Sequence, residues 1–336
     1  MTKIAINGLG RIGRPALKII FENFSSLKIV AVNDLSDINN VAHLLKYDSI
    51  YGSWKKNEIE IKDNRIFISG QEIIFFNEKD PALLPWRDLG IDIVLECTGV
   101  FTDFEGAKKH LTAGAKKVII SAPSKNPESI PSIILGVNEK KLEAQKYDIF
   151  DMSSCTTNCL APLIKILDEN LTIEKVFFST IHSYTNDQRI LDLGHKDLRR
   201  ARSASLNIIP TSTGAAKSIG NIFPHLKGKI SGLAFRVPTP TVSLTDLVAL
   251  VKKEAKKEEI NEIFKEASEN ELKGILNVEK DPLVSSDFIR NPYSSIVDLS
   301  LTETIGNLIK VCSWYDNEWG YANRLAQFAD FLGKKI

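Results

Sequence analysis

The sequence predicts an α/β protein built on a doubly wound parallel sheet. Three observations predict it. Short apolar runs alternate with segments of helical spacing as far as residue 121, a glycine triplet follows the first run at once, and an acidic residue closes the second run. Strands alternating with helices are the pattern of βαβ units, whose crossovers make a sheet parallel.

The elements follow in chain order. Residues 3–7 form a short buried strand, and Gly8, Leu9, Gly10, Arg11, Ile12 and Gly13 come directly after it. Arg14 to Phe21 shows helical apolar spacing, and residues 27–34 form a second strand ending in Asp34. Each part has a physical task in holding a dinucleotide. The first glycine permits a tight turn, the second lets backbone approach a pyrophosphate, and the third lets helix pack on strand. The pyrophosphate then rests on the helix N-terminus. An acid about 20 residues on accepts hydrogen bonds from the ribose hydroxyls. Asp34 favours NAD, because a carboxylate repels the extra phosphate of NADP. Gly8, Gly10, Gly13 and Asp34 are therefore candidate cofactor residues. A lone glycine triplet would be only a tight turn; strand, helix and acid in register make it a fingerprint.

Residues 58–76 are rich in strand with little helix, which reads as an inserted antiparallel hairpin or two. Residues 91–97 form an apolar strand ended by Thr98 and Gly99, 104–113 a helix, and 117–121 a strand stopped by Ala122 and Pro123. Ligands gather at the carboxyl ends of such strands, which places Thr98 and Ser121 near the cofactor.

A chain of 336 residues is long enough for two domains with separate cores. Its 43% hydrophobic and 25% charged residues exclude a disordered or collagen-like chain. A formal net charge of +1 gives no electrostatic reason to expect nucleic acid or an anionic membrane as partner. Met1, Thr2 and Lys3 lead straight into the first strand, leaving no room for a signal peptide, and no long uncharged apolar stretch follows. With four cysteines (Cys97, Cys155, Cys159, Cys312) the chain reads as cytoplasmic, where thiols stay reduced.

The second half carries the chemistry. Ser154, Cys155, Thr156, Thr157, Asn158 and Cys159 precede Leu160, Leu163, Ile164 and Leu167 at helical spacing, so Cys155 lies in a first helical turn. There the N–H groups and helix dipole lower a thiol's pKa. Cys159 sits one turn on. A disulfide is within reach but disfavoured in a reducing compartment, and the five histidines supply no zinc-ligand pattern. Free cysteine is usually a small core residue, which suits Cys97, Cys159 and Cys312. The polar neighbours of Cys155 point instead to a nucleophile, and His182, closing the strand over 175–181, is its candidate base. Arg199, Arg200 and Arg202 on a strandless loop, Thr211 to Gly214 at a helix start, and Arg236 at a strand end are the groups that recognise phosphate.

These motifs resemble one family over nearly the whole chain, the phosphorylating glyceraldehyde-3-phosphate dehydrogenases. The resemblance runs from Asn7–Arg14 through the Cys155 motif. It continues through His182 to Gln188, Thr213 to Lys217 and Arg236 to Pro240, and ends in Trp314, Tyr315, Asp316, Asn317, Glu318, Trp319, Gly320 and Tyr321. It implies a Rossmann-type doubly wound sheet plus an α+β catalytic domain with a mostly antiparallel sheet. It divides the chain into an NAD-binding domain (1–153 and 319–336, its C-terminal helix packing back) and a catalytic domain (154–318). Cys155 would attack the aldehyde and His182 take the proton, giving a thiohemiacetal and then a thioester that phosphate cleaves to 1,3-bisphosphoglycerate. Ser154, Thr156, Thr213 and Gly214 match the inorganic-phosphate side, and Thr185, Arg200 and Arg236 match substrate-phosphate positions. Gly8, Gly10, Arg11, Ile12, Gly13, Asp34, Lys79, Ser121 and Asn317 match NAD positions, with Asn317 orienting the nicotinamide amide. The family is a homotetramer, and the 184–209 loop resembles its subunit-packing loop.

Three positions depart from the family's pattern: Gly194 where NAD-using relatives often carry proline, Met152 for a polar residue, and Thr241 for asparagine. Two rival readings are weaker. Erythrose-4-phosphate dehydrogenase is disfavoured by Thr185 after His182 and Ser183. A non-catalytic NAD-binding scaffold is disfavoured by the intact Cys155, His182 and Arg236.

Overall fold

The computed structural model describes residues 1–336, the side chain of Lys141 excepted. The chain divides into two compact units. The first comprises Met1–Ile133, Lys141–Ser153 and Ala322–Ile336; the second comprises Ile134–Lys140 and Ser154–Tyr321. Among the described residues, no helix is long and apolar enough to cross a membrane.

In the first unit the glycine-bearing turn joins β1 (Thr2–Asn7) to α1 (Gly13–Asn23), which leads to β2 (Leu27–Asn33) and α2 (Ile38–Lys46). A two-residue ribbon, β3 (Tyr47–Asp48) and β4 (Gly52–Ser53), precedes β5 (Ile59–Lys62), β6 (Arg65–Ile68) and β7 (Gln71–Phe76). One short helical turn, α3 (Trp86–Leu89), leads to β8 (Ile93–Glu96), α4 (Phe104–Thr112), β9 (Lys117–Ile120) and β10 (Ile149–Asp151). The sheet order is β10-β9-β8-β1-β2-β7-β6-β5, parallel from β10 through β7. Strand order reverses between β1 and β8, which in such sheets is where ligands bind.

The 58–76 segment is more than an insertion. β5, β6 and β7 are an antiparallel meander, but β7 also pairs in parallel with β2, Ala31 opposite Ile74, so the segment extends the main sheet to its edge. Period-two burial along β7 draws Ile73 and Phe75 into the core, which fixes that register. The central strands β8 and β9 are instead buried at every position, without alternation, as strands covered on both faces must be.

The second unit is α+β. Its long helix α5 (Cys155–Leu171) and the helices α6 (Ala215–Ile222) and α7 (Lys257–Glu269) cover one sheet. That sheet contains β11 (Ile173–Ser183), β12 (Ile209–Ser212), β13 (Ile230–Val237), β14 (Ser243–Val251), β15 (Leu276–Glu279), β16 (Ser295–Asp298), β17 (Glu303–Ile305) and β18 (Leu308–Tyr315). The order is β12-β13-β11-β14-β18-β16-β15, with β17 on β18, and pairing is antiparallel except at β11–β13 and β15–β16. The apolar face of α5 (Leu160, Leu163, Ile164, Leu167, Leu171) packs with Val176, Phe178, Leu247, Ala249 and Val311 in the unit's main core. A last helix, α8 (Trp319–Gly333), closes the chain.

Candidate active site

The nucleophile's position begins with backbone. Ser153 adopts φ 54°, and Ser154 is extended (φ −99°, ψ 164°), so the chain turns sharply into α5. The Ser154 hydroxyl accepts from Thr157 N–H at 3.1 Å, an N-cap. Cys155 is thereby the first helical residue, half-buried. Its Sγ lies 3.5 Å from His182 Nε2.

β11 delivers His182, and the pairing of β11 with β13 sets Arg236 opposite it. The imidazole Nδ1 sits 2.7 Å from the Ser183 carbonyl and 3.0 Å from Arg236 Nη1. Arg236 Nη1 reaches that same carbonyl at 3.0 Å and Thr185 Oγ1 at 3.4 Å. The shorter contact assigns the Nδ1 proton to the carbonyl, so Nε2 turns its lone pair to the sulfur. Tyr315 braces the pair from behind. Its hydroxyl meets Thr156 Oγ1 at 3.0 Å and Thr180 Oγ1 at 2.7 Å, and its ring stands edge-on to His182 at 6.1 Å.

Burial sets the protonation states. It pushes the Cys155 thiol up; Arg236 and the N–H groups of Thr156 and Cys155 pull it down. The helix start thus acts in the direction the sequence suggests, but desolvation outweighs it. Burial also depresses His182 to about 3, and the neighbouring Arg236 charge adds to this. The resting pair is a thiol beside a neutral imidazole. Cys159, one turn deeper, is fully buried against Ser295 Oγ and Ser313 O, and burial pushes its thiol to about 11. All four cysteines are free.

Arg236 Nε is buried with no partner among the described residues, an unmatched cationic donor that an anionic ligand would satisfy. Arg200 is differently placed. Its guanidinium is ion-paired with Asp187 and donates to Thr211 Oγ1 at 2.9 Å and the Ser212 carbonyl at 3.2 Å. Thr213 accepts from Ala215 N–H at 3.3 Å, and Gly214 caps α6 with open space where a Cβ would stand. Asn317 Oδ1 accepts from Ser183 Oγ at 2.9 Å and Ser243 Oγ at 3.0 Å. These two bonds fix the amide with its oxygen toward the two serines.

In the first unit a cavity of 740 Å³ is lined by Gly8, Gly10, Asp34, Lys79 and Thr98, among others. Gly8 has φ +92°, which only glycine adopts without strain. A Cβ on Gly13 would stand 2.0 Å from Gly8 O, whereas one on Gly10 would meet nothing within 4 Å. The three glycines therefore serve a turn, an open approach and a close packing, as a dinucleotide cradle requires. The Asp34 carboxylate accepts from Leu9 N–H at 2.7 Å and Ser36 N–H at 2.8 Å, and so stands fixed at the cavity. Not every predicted cofactor residue comes to this cavity. The Arg11 guanidinium turns to Asp48 at 2.5 Å and over the Tyr51 ring. Ile12, Gly13 and Ser121 are outside the lining, and Asn317 belongs to the second unit.

Sequence reasoning gave no role to Tyr315 or Asp316. Asp316 accepts from Thr241 Oγ1 (3.1 Å), Glu318 N (3.0 Å), Trp319 N (2.9 Å) and Arg290 N (2.9 Å), locking the turn that presents Asn317. The Thr241 departure is thus a buried hydrogen bond. Their signal was the three polar residues Asp316, Asn317 and Glu318 set inside an aromatic run, Trp314 to Trp319. Met152 is wholly buried in the first unit, an apolar site for an apolar residue.

Two family models match the chain. The glyceraldehyde 3-phosphate dehydrogenase NAD binding domain covers residues 2–104, and the C-terminal domain of the same enzyme covers 154–317. The chain is 52% identical over 334 residues to glyceraldehyde-3-phosphate dehydrogenase 1 of Bacillus subtilis (strain 168), covering 99% of this chain and 98% of that one. It is 51% identical over 334 residues to glyceraldehyde-3-phosphate dehydrogenase of Geobacillus stearothermophilus, with the same coverage. Against glyceraldehyde-3-phosphate dehydrogenase 2 of Streptomyces avermitilis identity is 50% over 335 residues, 99% of each chain. The chain belongs to the glyceraldehyde-3-phosphate dehydrogenase family.

Proposed function

We propose that the protein oxidises D-glyceraldehyde 3-phosphate to 1,3-bisphosphoglycerate with NAD and inorganic phosphate, through a thiohemiacetal and a thioester on Cys155. The observation that carries the reading is Sγ of Cys155 at 3.5 Å from a neutral His182 Nε2, beside a buried Arg236. His182 takes the thiol proton as sulfur attacks the aldehyde carbon. The Cys155 N–H and His182 then hold the oxyanion, and His182 returns the proton to it, giving the thiohemiacetal hydroxyl and a neutral imidazole. When bound, the dinucleotide supplies the acceptor for the hydride that the substrate carbon gives up. His182 removes the hydroxyl proton of the thiohemiacetal as the thioester forms. Arg236, charged and with an unmatched Nε, draws phosphate to the thioester carbon, and the Cys155 thiolate leaves as the acyl phosphate forms. Arg236 also makes imidazolium unfavourable, so His182 gives its proton to the departing Cys155 thiolate and the resting pair is restored.

The remaining assignments are part of the same proposal. Residues 1–153 and 319–336 bind NAD through Gly8, Gly10, Asp34 and Lys79, with backbone of Arg11, Ile12 and Gly13 and the strand end at Ser121. Residues 154–318 hold substrate through Ser154, Thr156, Thr185, Arg200, Thr213, Gly214 and Arg236, with Asn317 meeting the nicotinamide amide. Initial rates with glyceraldehyde 3-phosphate, with NAD or NADP and with or without phosphate, test it. Reduction of NAD that requires phosphate is expected; a rate indifferent to phosphate overturns the acyl-phosphate product.

The assembly is a homotetramer in this reading, in the cytoplasm. Support comes from the loop between β11 and β12, where Ile190, Leu191, Leu193, Leu198, Leu206 and Ile208 are all exposed, more apolar surface than a monomer ordinarily shows in one loop. Light scattering is expected to give a mass near four times 37.4 kDa. A monomer at micromolar concentration would contradict this.

A further inference from the structure

A buried acidic side chain bonded to residues that line the dinucleotide cavity has no part in the chemistry above. Glu96, at the end of β8, is 1% exposed, and among the described residues no lysine or arginine pairs with it. Its carboxylate is met by donors only. Oε1 accepts from Thr98 N–H at 2.8 Å and from the Thr98 hydroxyl; Oε2 accepts from Asn7 Nδ2 at 2.6 Å and His110 Nε2 at 3.1 Å. The Thr98 hydroxyl is oriented for this, because its oxygen already accepts from Val100 N–H at 3.0 Å. His110 is oriented too. Trp86 Nε1 lies 3.0 Å from His110 Nδ1, and an indole N–H can only donate. Nδ1 must therefore be the acceptor, and the ring proton sits on Nε2, facing Glu96.

The donor–acceptor sense continues outward from Glu96. With Nδ2 given to Glu96, Asn7 presents Oδ1, which accepts from Asn33 Nδ2 at 2.7 Å. Asn33 Oδ1 then accepts from Glu78 N–H at 2.8 Å. The chain ends on a backbone N–H, which cannot reverse. Asn7, Asn33, Glu78 and Thr98 all line the cavity. They stand on β1, β2, the segment after β7 and the segment after β8, the strand ends on both sides of the reversal in strand order. β1 and β8 also approach closely here, since a Cβ on Gly8 would lie 2.9 Å from Thr98 N and Cγ2.

We propose that Glu96 is a positioning residue of the dinucleotide site: its carboxylate, held by His110 in the tautomer Trp86 imposes, sets the amide orientations of Asn7 and Asn33 and the place of Thr98. This deepens the NAD-binding reading and rests on it. Only a carboxylate accepts from four donors. An amide at this position would turn a donor against one of them. The mismatch would pass to Asn7, then Asn33, then stop against Glu78 N–H, where nothing can yield.

The test is Glu96→Gln in the full-length protein, with NAD binding followed by titration calorimetry and both Michaelis constants measured. The expected result is an NAD dissociation constant raised by about tenfold or more, with KM for glyceraldehyde 3-phosphate within about twofold and iodoacetate alkylation of Cys155 without NAD unchanged. If Glu96→Gln does not fold cooperatively, His110→Gln decides. It keeps the carboxylate but replaces a ring fixed between Trp86 and Glu96 with a flexible amide that can turn either end to them, and a rise of about threefold is expected. Unchanged NAD affinity in the variant that folds overturns the inference, as does an equal loss for both substrates. Failure of the wild-type protein to bind NAD would instead overturn the NAD reading itself.

Discussion

Cys155→Ser is expected to lower kcat by about 10⁴-fold or more while leaving NAD affinity and the thermal transition close to wild type. The size follows from the pair's protonation states. Burial raises the Cys155 thiol and depresses His182 to about 3, so the imidazole is a weak base even for a thiol. A serine hydroxyl, far less acidic still, would keep its proton. No other thiol can substitute. Burial pushes Cys97 to about 12, Cys159 to about 11 and Cys312 to about 11, and none of these faces His182. The same logic gives a second readout. Alkylation by iodoacetate should consume one thiol first in the wild-type protein, that thiol should be absent from Cys155→Ser, and its rate should climb with pH, because a raised pKa leaves the thiolate scarce near neutrality. A serine variant retaining a tenth of wild-type activity would remove Cys155 from the mechanism.

The parts of this site that were legible in the sequence are those whose signal is local. Ser154 ahead of Cys155 is a cap before an apolar helix, and both partners lie within four residues. The glycine triplet is likewise read from its flanks. What escaped is long-range. Thr156 and Tyr315 meet across 159 positions, and Asn7 and Glu96 across 89. Nothing near Glu96 in the chain announces that four donors converge on it. Arg200 has long-range partners of the same kind. A basic loop suggests free phosphate contacts, yet its guanidinium is held by Asp187, Thr211 and Ser212, because the loop folds back along β12. The 58–76 segment was legible as strand but not as sheet edge, since pairing with β2 depends on a register that a hairpin pattern does not carry.

His182→Asn separates catalysis from packing, and its two expected effects have opposite signs. Without a base, kcat should fall by about 10²- to 10⁴-fold near neutrality. The loss should shrink as pH rises toward the ionisation of Cys155 itself, because hydroxide can then do what Nε2 did. Stability should respond the other way in acid. His182 is 5% exposed, and its pKa falls from the ordinary 6.5 to about 3 on folding. Below the ordinary value the unfolded chain binds a proton that the folded chain refuses, so wild-type stability drops as pH falls from 6.5 toward 3, by at most about 1.4 kcal/mol per pH unit. Asparagine carries no such proton. The variant should therefore lose less stability than wild type between pH 7 and pH 4, measured as the shift of the urea midpoint, even if it starts lower through loss of the Ser183 and Arg236 contacts. Parallel pH dependence in the two proteins would mean that His182 keeps its ordinary proton affinity in the folded state, and burial would then not be what holds the imidazole neutral beside Cys155.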